Sequence, residues 1–115
     1  MPRRKWKLRI RHILEAIDKI RVYTAGMSFE TFSANNLVVD AVLRNFTVIG
    51  EATRNIPTHV ITAYPQLPWR LMQDMRNVVV HDYPNVSLQV VWETIQNDLP
   101  LLLEPLRHLL EEAEE

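Results

Sequence analysis

Only two glycines, Gly26 and Gly50, occur in the 115 residues. Tight hairpins lean on glycine, so a chain this poor in it is steered toward helices. The apolar residues point the same way. Trp6, Ile10, Ile13, Ile17 and Ile20 recur at spacings of four and three, a stripe that predicts a helix from about Trp6 to about Tyr23. Gly26 supplies its stop. Ser28 is placed to cap a short helix holding Phe29 and Phe32. Val38, Val42, Phe46 and Ile49 mark a second long helix from about Leu37 to Arg54, ended by Pro57. Pro57 to Pro68 contains three prolines and reads as a connector with one helical turn. A third helix begins at Pro68, turns Leu71, Met75, Val78 and Val79 inward, and stops at Pro84 and Asn85. Ser87 caps a last helix through Val91, Ile95, Leu99, Leu102, Leu106 and Leu109, which Pro100 and Pro105 should kink or split. The expected fold is an all-α up-down bundle of four to five helices, one domain over residues 1–115.

The balance of 47% hydrophobic and 23% charged residues is that of a chain able to bury its own core. The absence of cysteine excludes disulfides, thiolate metal sites and cysteine nucleophiles, and fits a reducing cytoplasm. The N-terminus is basic but leads into no apolar signal region, and no apolar run is long enough for a membrane span. A net charge of −1 argues against broad, nonspecific nucleic-acid binding and leaves room for one localised site.

The stretch Arg76-Asn77-Val78-Val79-Val80-His81-Asp82-Tyr83 gathers a cation, an amide, an imidazole, a carboxylate and a phenol at a helix exit. Metal-free RNA cleavage needs a base for the 2′-hydroxyl proton, an acid for the leaving oxygen, and a cation for the charge that builds on phosphorus. Histidine serves either proton task, and a guanidinium the charge. Arg76 and His81 are thus the candidate catalytic pair. Asn77 can orient the imidazole or bind phosphate, with Asp82 beside it as a supporting group. Tyr83 can bind phosphate, stack on a base or accept a modification. A helix turns about 100° per residue, so Arg76 and His81 point about 140° apart. Either the helix unwinds near His81, or two copies of the motif complete each other across a two-fold axis; the second favours a homodimer. The plainer alternative keeps these groups structural: His81 complements the helix dipole, and Arg76 pairs with Asp74, Asp82 or Asp98. The remaining histidines lack metal-ligand spacing, so no metal is expected. Asp40, Glu51 and the tryptophans read as structural, with Asp40 pairing an arginine at the core edge and Trp6, Trp69 and Trp92 as core or interface anchors.

The segment MRNVVVHDYPNV at Met75–Val86 resembles the Arg-x4-His-x-Tyr signature of the HepT family within the HEPN superfamily. YTAGMSFETF at Tyr23–Phe32, DAVLRNFTVIGEATRNIP at Asp40–Pro57, LPWRLMQDMRN and VWETIQNDLP resemble other segments of that family, so the likeness covers nearly the whole chain. The resemblance implies a dimeric HEPN bundle and a metal-independent endoribonuclease toxin acting on tRNA or mRNA without a cofactor. It also implies an antitoxin, a small MNT-type nucleotidyltransferase that transfers AMP to the motif tyrosine, here Tyr83. Arg76 and His81 match the family's catalytic arginine and histidine, and Asn77 the polar residue after the arginine. Pro84-Asn85-Val86 stands where relatives carry an aromatic and a glycine, which stiffens the turn that presents Tyr83. The alternative within this resemblance is a non-catalytic nucleotide- or RNA-binding protein, or a structural partner of the nucleotidyltransferase.

Overall fold

The computed structural model describes residues 5–82 and 85–113, and of His81, Asp82 and Ala113 it describes the backbone. Helix α1 spans Lys5–Thr24, α2 Phe29–Ala34, α3 Asn36–Arg54, α4 Thr58–Ala63 and α5 Trp69–Asp82. Helix α6, Leu88–Glu93, runs through a widened turn at Thr94–Asp98 into α7, Leu99–Ala113. No strand occurs among the described residues, and the all-α bundle expected from the sequence is what the chain forms.

Local chemistry sets the boundaries. Gly26 takes a left-handed φ of 77° just beyond α1, a conformation that costs glycine nothing. Ser28 Oγ accepts from the Thr31 amide at 3.1 Å while Thr31 Oγ1 accepts from the Ser28 amide at 2.9 Å, a reciprocal cap that starts α2. Asn35 Oδ1 caps α3 through the Val38 amide at 3.1 Å, and Ser87 Oγ caps α6 through the Val90 amide at 3.3 Å. Helix α5 ends at Asp82, as expected where a proline stands two residues on. The two late prolines do not split the last helix. Pro105 lies inside α7, and the residues before Pro100 form a π turn in which the Leu99 amide donates to the Thr94 carbonyl, five residues back.

Helix α3 lies between α1 and α5, and α7 lies against α1. Ile10, Ile13, Ile17 and Ile20 of α1 meet Val42, Phe46 and Ile49 of α3 in a core closed by Leu99, Leu102, Leu106 and Leu109 of α7. Burying one such side chain contributes about 1.5–3 kcal/mol. Trp92 packs its ring on Phe32 at 5.1 Å and edge-on to Phe29 at 6.5 Å, so α2 is held by aromatic contact with α6. Trp69 is buried and Trp92 half-buried against the core, and both are the anchors the sequence suggested.

Two expectations are corrected. The inward stripe of α5 is Trp69, Met72 and Met75, all buried, with Leu71, Val78 and Val79 at its half-buried edge. The bulky tryptophan at the helix start fixes that rotation: its indole Nε1 donates to the Tyr64 carbonyl at 2.9 Å and turns the first turn of α5 toward the core. Asp40 is exposed and takes no arginine partner among the described residues, because its position on α3 faces outward.

The connector before α5 is also tied to α7. Burial raises the Tyr64 phenol above its ordinary value of 10.0, and the Glu112 carboxylate adds to this by its charge and by accepting the phenol's hydrogen bond. A raised folded pKa means the protonated phenol stabilises the fold; that contribution is complete below the unfolded value and lost as pH rises through the folded one. Thermal melts between roughly pH 9 and 12 should therefore fall more steeply for the parent than for Tyr64→Phe. Parallel curves would contradict this tie.

Candidate functional site

The C-terminal part of α3 carries Gly50 followed by Glu51, and both meet Arg76 of α5. A glycine inside a helix costs about 1 kcal/mol relative to alanine, so its presence there asks for a packing reason. The reason is proximity. A methyl group placed on Gly50 would lie 2.7 Å from the Arg76 nitrogen and 3.0 Å from its Cα, closer than real side chains come to backbone. Without that methyl group, α5 settles directly onto α3 at Arg76.

Glu51, one residue on, turns its carboxylate to the Arg76 guanidinium, and the two form an ion pair through Nε. The arginine side chain is 23% exposed and Glu51 is 48% exposed. The Arg76 Nε is enclosed and makes no hydrogen bond of ordinary geometry, so the carboxylate answers its charge rather than a directed bond. On the outer side, Arg76 Nη1 donates to Asn77 Oδ1 at 3.4 Å, and Asn77 Nδ2 donates to Asp74 Oδ1 at 3.4 Å. Both are long contacts at a wet surface and contribute little. Asp74 stands 3.9 Å from Arg70, and Glu51 stands 3.8 Å from Arg54.

Among the described side chains the ion-pair partner of Arg76 is Glu51, not Asp74 or Asp98; the Asp82 side chain lies outside the described residues. The sequence reading treated Glu51 as a structural helix residue. The signal that could have found it was its neighbour, a glycine inside a helix in a chain with only two.

Helix α5 stays helical through His81 and Asp82, so it does not unwind near the histidine. Along a continuous helix, Arg76 and His81 diverge by about 140°. The backbone of His81 sits in the last turn of α5. The side chains of His81 and Asp82 lie outside the described residues, as does Tyr83 altogether. The structure thus brings Arg76 and Asn77 together with Glu51.

Beyond Glu51 the surface between α1 and α3 opens into two adjoining grooves of about 570 and 310 Å³, which share His12, Arg44 and Val48. One contains Glu51 itself, so the groove and the Arg76 site are contiguous. No described helix is long and apolar enough to cross a membrane.

Known proteins resemble the chain over most of its length. The model of the family described as ribonuclease HepT-like matches residues 13–109. A Thermococcus cleftensis protein named "Probable ribonuclease HepT" is 37% identical over 100 residues, covering 87% of this chain and 91% of its own. A Methanocaldococcus jannaschii protein provisionally named an RNase is 33% identical over 115 residues, covering 100% of this chain and 99% of its own. Another from the same organism, whose name pairs gamma-glutamylcyclotransferase with RNase, is 33% identical over 112 residues; this chain spans 50% of its length. No solved structure matches the chain.

Replacing Gly50 with alanine should force α3 and α5 apart at Arg76 and lower stability by about 1–3 kcal/mol in urea unfolding. An unchanged midpoint would mean that the two helices do not meet there as described.

Proposed function

We propose a ribonuclease function from one premise: this chain belongs to the HepT-like ribonuclease family. The reading is a metal-independent endoribonuclease toxin, a single cytoplasmic domain that works as a homodimer. The observation that carries it is the setting of Arg76. A half-buried guanidinium is held against the bundle by Glu51 and Gly50, on the same unbroken helix that delivers His81.

Such an arginine is preorganised. Its position is fixed before substrate arrives, so binding a phosphate costs little side-chain freedom, and its outer nitrogens remain available to the phosphate oxygens. In the reaction the 2′-hydroxyl oxygen attacks the adjacent phosphorus and the bond to the 5′ oxygen breaks. One imidazole takes the 2′ proton and another group returns a proton to the leaving oxygen, giving a 2′,3′-cyclic phosphate and a 5′-hydroxyl end. Across a two-fold axis each arginine faces the other copy's His81, which supplies the imidazole of that site. The divergence of Arg76 and His81 on one straight helix supports this shared arrangement. So does Val80, 46% exposed and one turn from Arg76, an apolar residue suited to a contact between copies.

Regulation belongs to the same reading. A nucleotidyltransferase antitoxin transfers AMP from ATP to the Tyr83 oxygen and releases pyrophosphate. The phosphodiester so formed puts negative charge and bulk beside Arg76 and displaces RNA. Asn77, which neighbours the guanidinium, and Asp82 support the phosphate site.

With EDTA present, the parent should cut tRNA or mRNA, and His81→Ala should lose about 10²–10⁴ of the rate. Equal cutting by the two would remove His81 from the chemistry, and RNA binding without cutting would recast the protein as a binding module. With ATP and the antitoxin, mass spectrometry should find AMP on the parent and none on Tyr83→Phe; an adduct on the variant would place the modification elsewhere.

A further inference from the structure

We propose that the groove between α1 and α3 is a track for single-stranded RNA, holding the strand's phosphates on Arg9, His12, Lys19 and Arg44 beside the Arg76 site. The proposal rests on the ribonuclease reading and adds where the substrate lies. Three observations converge on it.

The first is position. The two grooves share His12, Arg44 and Val48, and one reaches Glu51, the residue that holds Arg76. A strand lying in the groove ends beside Glu51, the partner of Arg76. Lys19 and Arg9 are ten residues apart on α1, which places them about 15 Å apart along the track.

The second is charge. Three arginines elsewhere on the surface are answered: Arg54 by Glu51, Arg70 by Asp74, Arg107 by Glu104. Arg9, Lys19 and Arg44 enter no ion pair with the described residues. The carboxylates that line the groove, Glu15 and Glu51, are fewer than its cations. In a chain of net charge −1 this is a local concentration of unneutralised positive charge, the electrostatic footprint of a polyanion site.

The third is shape. Ala16, Ala41 and Ala52 keep the floor low. Tyr23, 38% exposed, stands at the far end as a ring on which a base can stack. A second copy of the chain fits less well, since a two-fold contact through this groove would set its cations against their own copies.

The test uses the full chain carrying His81→Ala, so that RNA is not consumed, and a short fluorescein-labelled single-stranded RNA in EDTA. Anisotropy titrations across a salt series compare Arg9→Gln/Arg44→Gln and Lys19→Gln/Arg44→Gln with a charge-matched control, Arg70→Gln/Arg107→Gln. Circular dichroism melts confirm that each variant folds. Both track variants should weaken binding roughly tenfold and flatten the salt slope by about 1.4, two lost phosphate contacts, while the control stays near the parent. Equal weakening by the control, or parent-like binding by the track variants, overturns the track. A change in oligomeric state by light scattering with RNA affinity unchanged overturns it in favour of a contact between copies. If the chain with His81 intact binds RNA on the track but never cuts it, the track stands and the ribonuclease reading falls.

Discussion

The contact of α3 with α5 at Gly50 is the constraint on which the rest of the site depends. Close-packed interiors transmit displacements of a methyl group, and here the missing methyl group lets one helix backbone rest on another. That approach carries Arg76 to within reach of Glu51. A carboxylate one residue along the same helix then fixes a long, flexible side chain in one direction. The pair is partly exposed, so its contribution to stability is small. Its consequence is positional: it decides where a guanidinium charge stands before any ligand comes.

The remainder of the bundle serves this placement. Helix α1 backs α3 with an isoleucine stripe, and α7 closes the core behind α1. The start of α5 is held by Trp69 on the Tyr64 carbonyl. With its N-terminal end fixed and its middle seated on Gly50, α5 has little freedom to rotate. The surface formed by α1 and α3 is left open, and its groove reaches Glu51, the partner of that arginine.

Periodicity made the helices legible. The stripe on α1 and the leucines of α7 name the core directly, and Gly26, Ser28 and Ser87 mark ends by chemistry that is local in sequence. The rotation of α5 was harder. Its apolar residues are crowded enough to fit two neighbouring faces, and a tertiary hydrogen bond from Trp69 chose between them. The motif itself was visible because its residue types are unusual together. Its partner was not, since Glu51 lies 25 residues before Arg76 and nothing local links a glutamate on one helix to an arginine on another. Tyr83 and the side chains of His81 and Asp82 lie outside the described residues, so their share of the site rests on the family resemblance.

One geometric fact governs the mechanism: Arg76 and His81 ride the same unbroken helix and diverge by about 140°. In the proposed reading a site that uses both is assembled from two copies, the arginine of one meeting the histidine of the other. The most direct test is cleavage by a purified heterodimer of differently tagged Arg76→Ala and His81→Ala chains, with EDTA present. One of its two sites would hold both intact residues, so the account predicts cleavage that neither mutant homodimer shows. A heterodimer as inactive as both homodimers would contradict a shared site and place the two residues in a single copy.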